Sequence, residues 1–540
     1  MPENLELELA WDFVEKTDRS IFLTGKAGTG KTTFLHSLKS NSLKRLIVVA
    51  PTGVAAINAK GVTIHSFFQM PFGPILPEVA SLQKKETSFK HKFSKIKINI
   101  IKSLDVLIID EISMVRADLL DGIDQVLRRY RDRTKVFGGL QVLMIGDLQQ
   151  LAPVVKNNEW ELLKTYYNTP YFFSSKAFIE SATVNIELKH IYRQDNQRFI
   201  KILNEIRNNN LSDDSVTELN KRYLPDFTPK QDEGYITLTT HNGRANILND
   251  KELNKLKDKT QNYKAFIQGK FQENSYPTHE KLILKKGAQV MFIKNDSNSE
   301  KRYYNGKIGK IIALNKNEIR VHCQGDLEDI MVTPETWENV NYTLNPETKE
   351  ISENSVGSFS QMPLRLAWAI TIHKSQGLTF DKAIIDANAA FAHGQTYVAL
   401  SRCRTLGGIV LKNRIATESI ITDSRVTSFN NNVAENPPNQ FDLNNSQKVF
   451  QLNMVGELMN YYQFMFPVNR LIEIYNRNKN SFQGTIINPL IQIKEVGVQP
   501  ILVIANSFNK QLNDLCKDVV LPENNTVVLD RIHKAITYFI

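Results

Sequence analysis

The chain has 540 residues, of which 41% are hydrophobic and 23% are charged, so a peptide, a coiled coil and a disordered tail are excluded and about three to five compact domains are expected. Lysines and arginines number 67 against 57 aspartates and glutamates, and the formal charge of +10 favours a polyanionic partner. The three cysteines lie far apart, the N-terminus lacks the pattern of a secretory signal, and no apolar run approaches about 18 residues. We therefore expect a soluble intracellular protein, in a bacterial cytoplasm, with no membrane partner.

Short apolar runs rich in branched residues recur in the first half of the chain, and such runs are typical of strands buried on both faces of a parallel sheet. These runs are 21–23, 46–50, 106–109 and 142–145. An amphipathic stretch over roughly 117–131 has apolar residues at helical spacing. Because strands and helices alternate, we predict a first α/β domain over 1–185, interrupted by a Lys-rich, Pro-punctuated segment at about 66–101.

A second set of similar runs predicts another α/β core, over 186–430. These runs are 184–188, 235–238, 367–370 and 383–386. Between about 286 and 360 the runs become brief and turn-separated, which predicts a small antiparallel barrel inserted in this domain. A polar, Asn/Pro-rich stretch at 431–446 predicts a linker, and apolar residues at helical spacing beyond it predict a packed accessory domain over 447–540.

A glycine-rich sequence follows the first predicted strand and precedes a helix-like stretch. It fits GxxxxGK[ST] at every fixed position, and its residues are Gly25, Lys26, Ala27, Gly28, Thr29, Gly30, Lys31 and Thr32. Its glycines let backbone N–H groups point at phosphate oxygens, while a lysine neutralises the β- and γ-phosphates and a hydroxyl binds Mg²⁺. The pattern predicts a nucleotide-binding loop in which Lys31 is catalytic and Thr32 is a metal ligand. The alternative is an ordinary Gly-rich turn.

Polar residues that suit phosphoryl transfer follow two further predicted strands. Asp110 can hold Mg²⁺ directly or through water, and Glu111 is placed to orient or deprotonate the attacking water. Gln150 can sense the γ-phosphate. By itself, an Asp-Glu pair is usually only solvated, and Gln150 can belong to an ordinary turn. Together with the Gly-rich loop, these residues favour hydrolysis of a nucleotide over transfer of its phosphate to another substrate.

Further segments occur in a specific order along the chain. They are 50–56, 63–68, 137–141, 188–194, 369–379 and 395–402. With the segments above, they resemble the motifs of the Pif/RecD-like branch of superfamily I helicases, and within it the Pif-type DNA helicases, from about residue 20 to 415. The resemblance implies two RecA-like parallel-sheet P-loop domains, with ATP in the cleft between them and single-stranded DNA translocated 5′ to 3′ across their tops.

The resemblance implies that two arginines of the second domain reach the γ-phosphate. Arg193 lies in the segment that resembles motif IV, and Arg402 lies in the one that resembles motif VI. Arginines that contact the transferring phosphoryl group only when the cleft closes stabilise its charge and couple closure to hydrolysis. Without the resemblance, we would expect solvation or a salt bridge for both. The full predicted catalytic set is Lys31, Glu111, Gln150, Arg193 and Arg402.

The resemblance also implies a DNA-binding set, whose small residues, hydroxyls and amides suit contacts with phosphate and sugar. Its members are Pro51, Thr52, Gly53, Thr63, His65, Ser66, Phe68, Thr371, His373, Lys374 and Gln376. The two histidines can equally be structural residues. A cation such as Lys374 needs no special geometry to bind in a backbone groove.

Both predicted insertions correspond to parts of this family. The segment at about 66–101 corresponds to the family's wedge, which splits the duplex. Its apolar residues can instead form a hydrophobic minicore. Its lysines, among them Lys84 and Lys90, fit an edge that faces phosphate. The segment at about 286–360 resembles the family's SH3-like barrel. The chain departs from the family pattern at one point. Family members usually have a glutamine ahead of the P-loop, and this glutamine recognises adenine, whereas the first glutamine of this chain is Gln69.

The leading prediction is therefore an ATP-dependent 5′-to-3′ DNA helicase or translocase that acts on single-stranded, duplex and fork DNA as a monomeric motor. Repair, recombination and replication maintenance are the expected processes. The accessory domain, with its apolar stripe, is a candidate surface for a protein partner. Two alternatives stay open: an RNA-directed helicase, and a P-loop ATPase that remodels protein and takes its arginine from a neighbouring subunit.

Overall fold

The structure is a computed structural model, and in it the chain forms two compact units. One unit comprises Met1–Leu7 and Ser20–Pro437, and the other comprises Glu8–Arg19 and Pro438–Ile540. The described residues are 4–71, 73–77, 93–194, 196–230, 233–273, 276–296, 302–344, 351–386, 394–415, 423–481, 484–517 and 520–539.

The first domain contains a six-stranded, wholly parallel sheet in the order β3-β2-β4-β5-β1-β6. Its strands are β1 (Ile21–Gly25), β2 (Leu46–Ala50), β3 (Val62–Thr63), β4 (Val106–Ile109), β5 (Gln141–Ile145) and β6 (Val184–Leu188). The central strands are continuous apolar runs because helices cover both faces of such a sheet. This architecture confirms the predicted parallel-sheet α/β fold of the first domain.

Helices alternate with these strands along the chain. In chain order they are α1 (Leu5–Lys16), α2 (Lys31–Asn41), α3 (Gly53–Asn58), α4 (Ile64–Phe68), α5 (Lys95–Ser103), α6 (Ala117–Tyr130), α7 (Asn157–Leu163) and α8 (Lys176–Glu180). Helix α6 follows the predicted amphipathic pattern, since Leu120, Ile123 and Leu127 are fully buried in the core that also contains Phe22.

One predicted strand belongs to a different sheet from the one expected. The run 184–188 was assigned to the second core, but it forms β6, where Ile21 of β1 pairs with Val184. An apolar run predicts a strand but not the strand beside which it lies. The structure shows that this strand pairs in parallel with β1. The segment that follows β6 therefore starts at the carboxyl edge of the first sheet, beside the P-loop.

The second domain has a four-stranded parallel sheet in the order β18-β7-β19-β20. Its strands are β7 (Ile236–Thr239), β18 (Ala369–Thr371), β19 (Ala383–Asp386) and β20 (Ile409–Leu411), and the strands numbered between β7 and β18 belong to an insertion. Its helices are α9 (Gln197–Arg207), α10 (Asp213–Asn220), α11 (Asn242–Lys255) and α12 (Gln395–Ser401). The core of this domain includes Phe199, Ile236 and Leu400.

The insertion is built from antiparallel strands, as the turn-separated runs predict. Its strands are β8 (Gln261–Lys264), β9 (Phe266–Gly269), β10 (Lys281–Leu284), β11 (Gln289–Phe292), β12 (Ile308–Leu314), β13 (Ile319–His322), β14 (Ile330–Val332), β15 (Glu335–Leu344), β16 (Ile351–Gln361) and β17 (Leu364–Leu366). They form sheets of five, three and two strands. Antiparallel structure thus runs from Gln261 to Leu366, beyond the range 286–360 assigned from sequence.

Apolar residues of the predicted wedge belong to the first-domain core. Phe67, Phe68 and Met70 are buried there, and the rings of Phe67 and Phe68 meet edge to face with their centroids 4.8 Å apart. This arrangement corresponds to the hydrophobic-minicore alternative rather than to an exposed apolar loop. Phe72 and the range 78–92, which contains Lys84, Lys85, Lys90 and Lys92 of the lysines proposed to face phosphate, lie outside the described residues.

The predicted linker over 431–446 is largely helical. Only 436–439 separate two helices, because Asn439 caps the second helix in a capping box with Asp442 and Pro437–Pro438 cannot continue the first. The remaining helices run to the end of the chain. The set is α13 (Ser424–Glu435), α14 (Gln440–Leu458), α15 (Met465–Arg477), α16 (Ile487–Gln492), α17 (Gln499–Leu515) and α18 (Thr526–Phe539).

The second unit has a small core of its own. Phe508 and Leu512 of α17, Met459 and Val528 are buried together in it. In the ranges that the structure describes, no helix has both the length and the apolar character needed to cross a bilayer.

Candidate functional site: the nucleotide cleft

The predicted nucleotide residues meet at one edge of the first sheet. The P-loop follows β1, Asp110 and Glu111 follow β4, and the segment that leads to Gln150 follows β5. Because parallel strands all end at the same edge, segments far apart in sequence come together there. This edge is the usual ligand-binding position of an open α/β sheet.

The P-loop has the backbone conformation that its glycines allow. Gly28 and Gly30 have φ angles of 85° and 88°, in the left-handed region that disfavours residues with a Cβ. Helix α2 begins at Lys31, so its N-terminal N–H groups point into the loop. The Lys31 ammonium donates hydrogen bonds to the carbonyl oxygens of Gly25 (2.6 Å) and Lys26 (2.9 Å). These bonds hold the cation within the loop that would receive phosphate.

Asp110 and Glu111 place two carboxyl groups at the carboxyl edge of the first sheet, next to the P-loop. Burial, together with the neighbouring Glu111, raises the pKa of Asp110 to about 7. Burial also raises the pKa of Glu111, while Lys31 and Arg402 oppose that rise. Glu111 adopts left-handed backbone angles (φ 51°, ψ 44°), a conformation that costs free energy for a non-glycine residue and is typical of functional sites.

The donor set at this edge fits Mg²⁺. A carboxylate at Asp110 and the exposed hydroxyl of Thr32 are hard oxygen donors of the kind that this ion prefers. Among the described residues, no three acidic, histidine or cysteine side chains cluster as a metal cage. One or two protein oxygens, with substrate phosphates and water completing the shell, is the usual way in which proteins hold Mg²⁺ beside a nucleotide.

Gln150 lies in a buried polar network. Its amide donates to the carboxylate of Asp147 over 3.1 Å, and Asp147 also accepts from the Arg207 guanidinium at 3.5 Å. Arg207 lies 3.5 Å from Glu187 as well. Although burial opposes its charge, the nearby Asp147, Tyr397 and Glu187 raise the pKa of Arg207. Arg207 ends α9 and therefore connects the second domain to the segment after β5.

The two predicted arginines lie together on the second-domain wall of the cleft. A Cβ added to Gly28 would lie 2.5 Å from the Cβ of Arg193, so this arginine packs directly on the P-loop. Arg193 donates to the carbonyl of Ser401 at 3.3 Å. Arg402 is only 2% exposed and donates to the carbonyl of Val398 at 3.1 Å. Burial and the adjacent Arg193 lower the pKa of Arg402 to about 9.

The walls of the cleft touch at two further points. The backbone N–H of Ala27 in the P-loop donates to the hydroxyl of Tyr397 over 2.9 Å. Gly394, directly before α12, is so close to the other wall that an added Cβ would lie 1.8 Å from the carbonyl oxygen of Gln150. Both contacts join α12 of the second domain to the nucleotide loops of the first.

An amide does lie ahead of the P-loop, although it is not a glutamine. The side chain of Asn4 donates to the hydroxyl of Tyr192 over 3.1 Å. The ring of Tyr192 in turn approaches Gly30, since an added Cβ there would lie 3.6 Å from it. Tyr192 therefore borders this end of the P-loop, and Asn4 contacts the hydroxyl of that tyrosine.

Two predicted DNA-binding hydroxyls act as helix caps. Thr52 accepts the N–H of Ala55 at the start of α3, and Thr63 accepts the N–H of Ser66 at the start of α4, both over 3.2 Å. Such caps typically stabilise a helix by about 1 kcal/mol. Pro51 and Gly53 beside these caps are partly exposed and Ser66 is exposed. His65 is half-buried, and burial lowers its pKa.

Phe68 has a different position from the one predicted. It is fully buried in the first-domain core, where it packs against Phe67. A side chain without exposed surface cannot stack on a base, so we remove Phe68 from the predicted DNA-binding set. The sequence did not reveal that both adjacent phenylalanines, Phe67 and Phe68, are buried, because a single helical turn is too short to define a face.

The segment that resembles motif V divides between surface and cleft. His373 and Lys374 are exposed, whereas Thr371 is buried and its hydroxyl accepts the N–H of Lys374 at 3.3 Å. Gln376 was predicted to contact DNA, but its amide donates to a carboxylate oxygen of Glu111 over 2.9 Å. One short segment thus presents groups to solvent and to the nucleotide cleft.

Comparisons with known proteins identify the family. The PIF1-like helicase model matches residues 8–217, and the model of a DNA helicase middle domain matches residues 442–540. The Pif1 structure from Bacteroides sp. in complex with ADP-AlF4 is 42% identical and has a TM-score of 0.74, with 81% of this chain and 98% of that chain covered. The chain belongs to the Pif1 helicase family.

Other Pif1 proteins extend the comparison. The Bacteroides Pif1 structure in complex with ADP-AlF3 and single-stranded DNA is also 42% identical, with a TM-score of 0.59 and coverage of 81% of this chain and 98% of that chain. The Psychrobacter ATP-dependent DNA helicase Pif1 is 32% identical over 73% of this chain. This chain spans 66% of the length of the Psychrobacter protein and 58% of that of the human Pif1 helicase.

Sequence reasoning missed three residues of this Pif1-family cleft. Tyr397 lies inside the segment that resembles motif VI, so the segment was identified without the role of its tyrosine. Asp147 lies in the stretch after β5 but received no role. Arg207 carried no signal, because a basic residue in the last turn of an amphipathic helix is ordinarily solvated.

Proposed function

We propose that this chain is an ATP-dependent DNA helicase or translocase that moves 5′ to 3′ along single-stranded DNA and unwinds duplex DNA. The observation that carries the proposal is the composition of the cleft. Lys31 of the P-loop and Glu111, both in the first domain, lie across the cleft from Arg402 of the second domain. The chain also belongs to a helicase family. The direction of movement rests on the motif resemblance.

Each cleft residue has a proposed role in hydrolysis. Lys31 would bind the β- and γ-phosphates, and Glu111 would accept a proton from the attacking water. Arg193 and Arg402 would stabilise the charge that develops on the transferring phosphoryl group, and Gln150 would sense the γ-phosphate. Mg²⁺ held by Asp110 and Thr32 would neutralise phosphate charge when bound.

The position of the arginines supports a motor that works as a monomer. Arg193 and Arg402 belong to the same compact unit as the P-loop, and Arg193 packs on Gly28 of that loop. A ring-shaped, protein-remodelling ATPase would instead need an arginine from a neighbouring subunit. We therefore favour the helicase over that alternative.

DNA is the proposed polymer. The Bacteroides relative was crystallised with single-stranded DNA, and this chain exposes Ser66, His373 and Lys374 on segments that resemble DNA-contacting motifs. We propose that these residues, with Pro51, Gly53 and the capping threonines, follow the phosphate backbone without reading its sequence. Fork DNA is a proposed substrate because the helicase would meet the duplex ahead of the bound strand.

The cellular setting is also a proposal. We place the protein in a bacterial cytoplasm, in DNA repair, recombination or replication maintenance. Its cysteines support a reducing compartment, since Cys323, Cys403 and Cys516 are all free and buried. The second unit exposes Tyr462 and Phe466, which are 63% and 80% accessible, and we propose this unit as a protein-binding module.

The decisive experiment is the ATPase rate with and without single-stranded DNA, followed by unwinding of duplexes with a 5′ or a 3′ overhang. Stimulation by DNA and unwinding from the 5′ overhang alone are the expected results. An RNA strand of the same sequence serves as the comparison. Stimulation by RNA and not by DNA would replace this proposal with the RNA-directed alternative, and unwinding from the 3′ overhang would overturn the polarity.

A further inference from the structure

Gln376 makes a contact that the proposed hydrolysis does not require. It lies in the second domain, yet its side-chain amide donates a hydrogen bond of 2.9 Å to a carboxylate oxygen of Glu111 in the first. Glu111 is the proposed acceptor of the proton from water. A bond donated to a carboxylate oxygen occupies one of its lone pairs and fixes the orientation of the group, so the carboxylate is less free to turn towards an attacking water.

The surroundings of Glu111 increase the effect of this single bond. The Glu111 side chain is partly buried in the cleft, where an electrostatic interaction is stronger than in water. Its backbone has φ of 51°, in a conformation that the surrounding contacts must maintain. Within the part of the chain that the structure describes, Gln376 is the side chain that donates a hydrogen bond to the Glu111 carboxylate.

Gln376 is rigidly linked to groups on the surface. It directly follows a 3-10 turn over His373–Ser375, and its own N–H bonds to the carbonyl of His373 at 3.3 Å. Ser375 anchors the turn by donating its hydroxyl to the carbonyl of Ile372 at 2.7 Å. His373 and Lys374 on the same turn are exposed. A displacement of these two residues therefore moves Gln376 as well.

The turn also touches the first domain beside a segment that resembles a DNA-contacting motif. Gly377 has φ of 81°, and a Cβ added to it would lie 3.6 Å from the side-chain nitrogen of Asn58, the last residue of α3. Helix α3 begins at the Thr52 cap. Both elements proposed to hold the DNA backbone thus meet next to Gln376.

We propose that Gln376 is a positioning residue that restrains Glu111, and that a DNA strand bound to the His373–Ser375 turn and α3 releases this restraint. The inference rests on the proposed function. It differs from the initial expectation that Gln376 contacts DNA itself. DNA binding would then be coupled to ATP hydrolysis through one side chain. Gln376 would move when DNA occupies the surface formed by the His373–Ser375 turn and α3, called here the DNA track, and this movement would free Glu111 to activate water.

The test compares Gln376→Met with the wild-type chain. Methionine keeps the length and approximate volume of glutamine but cannot donate the hydrogen bond. Gln197→Met is the matched control, because Gln197 is exposed at the start of α9. For each protein, kcat and KM for ATP are measured without DNA and at saturating single-stranded DNA, and the Kd for DNA is measured by fluorescence anisotropy.

We expect Gln376→Met to raise the DNA-free kcat roughly tenfold, the order expected for loss of one hydrogen bond to a charged group. The DNA-saturated kcat and the KM for ATP should stay near wild-type values, so that the stimulation ratio falls. The Kd for DNA should stay the same or decrease, because bound DNA no longer has to break the hydrogen bond. A merely structural defect would lower both rates in the same proportion and leave this ratio unchanged.

Three results would overturn the inference. An unchanged stimulation ratio would show that the bond does not restrain Glu111. A fall in the DNA-saturated kcat larger than in the DNA-free kcat would mean that Gln376 holds Glu111 in a productive position. A weaker Kd for DNA with normal kcat at saturation would assign Gln376 to the DNA track. Absence of ATP turnover in the wild-type chain would overturn the proposed function, and this inference with it.

Discussion

The nucleotide cleft and the segments that we propose to face DNA use similar polar residues in opposite environments. In the cleft, Arg402 is 2% exposed and its pKa is lowered by burial, and Glu111 is partly buried near it. On the DNA-facing side, Ser66, His373 and Lys374 are exposed to solvent. Burying the charged groups of the cleft therefore costs desolvation free energy, which their mutual electrostatic interactions offset. The exposed groups proposed to face DNA are hydrated by solvent and need few protein partners.

The difference follows from what each region must do. Stabilising the charge of a transferring phosphoryl group requires fixed donors in a water-excluded site. Following a phosphate backbone requires accessible cations and hydroxyls, and screening by water and salt is tolerable there. Substitutions in the cleft should consequently change the rate of hydrolysis, and substitutions on the DNA side should change affinity and its salt dependence.

The largest expected effect is that of Lys31→Ala. Removal of the cation that the P-loop carbonyls hold should reduce ATP turnover by about 10² to 10³ or more, because phosphate charge loses its nearest fixed partner. Steady-state phosphate release measures the effect. The exposed lysine in Lys201→Ala of α9 provides the control. Turnover close to wild type in Lys31→Ala would mean that phosphate binds elsewhere.

Arg402→Ala tests whether the buried arginine acts on the transition state. We expect kcat to fall by about a hundredfold while nucleotide binds with nearly normal affinity, because the contact is proposed to form with the transferring group. Stopped-flow phosphate release and binding of a fluorescent nucleotide measure the two quantities. Arg404→Ala, which removes an exposed guanidinium two residues away, is the control. Loss of nucleotide affinity alone would contradict the assignment.

Phe68→Ala distinguishes a core residue from a DNA contact. Because Phe68 is fully buried, the variant should lose about 3–5 kcal/mol of the free energy of unfolding. Urea denaturation measures this loss, and Phe266→Ala, at an exposed phenylalanine of the antiparallel insertion, should change it far less. Folded Phe68→Ala should bind single-stranded DNA as the wild type does. Normal stability with weak DNA binding would return Phe68 to the DNA-binding set.

The smallest expected effect is that of Lys374→Ala. Loss of one exposed cation from the proposed DNA track should weaken binding of single-stranded DNA a few-fold, and reduce the slope of log affinity against log salt by about 1. Fluorescence anisotropy at several salt concentrations gives both values, again with Lys201→Ala as the control. A change in DNA-free kcat without a change in salt slope would place Lys374 in the cleft instead.

Much of the fold and of the cleft could be predicted from local patterns. The P-loop is predictable because glycines at fixed spacing are needed for its left-handed backbone, as at Gly28 and Gly30. Asp110 and Glu111 are predictable because charges directly after a buried strand are unusual. By contrast, the assignment of 184–188 to a sheet and the burial of Phe68 depend on neighbours that the sequence does not specify.

The amino-acid sequence by itself determined the family, the α/β class with its antiparallel insertion, and the chemical types of the nucleotide residues, because these depend on short-range spacing and strand periodicity. Only the tertiary structure decided which residues meet across the cleft. Tyr397 reaches the P-loop, Arg207 reaches Asp147, and Gln376 reaches Glu111. Each pair joins residues 60 or more positions apart, and contacts over such separations follow from the packing of domains rather than from local sequence.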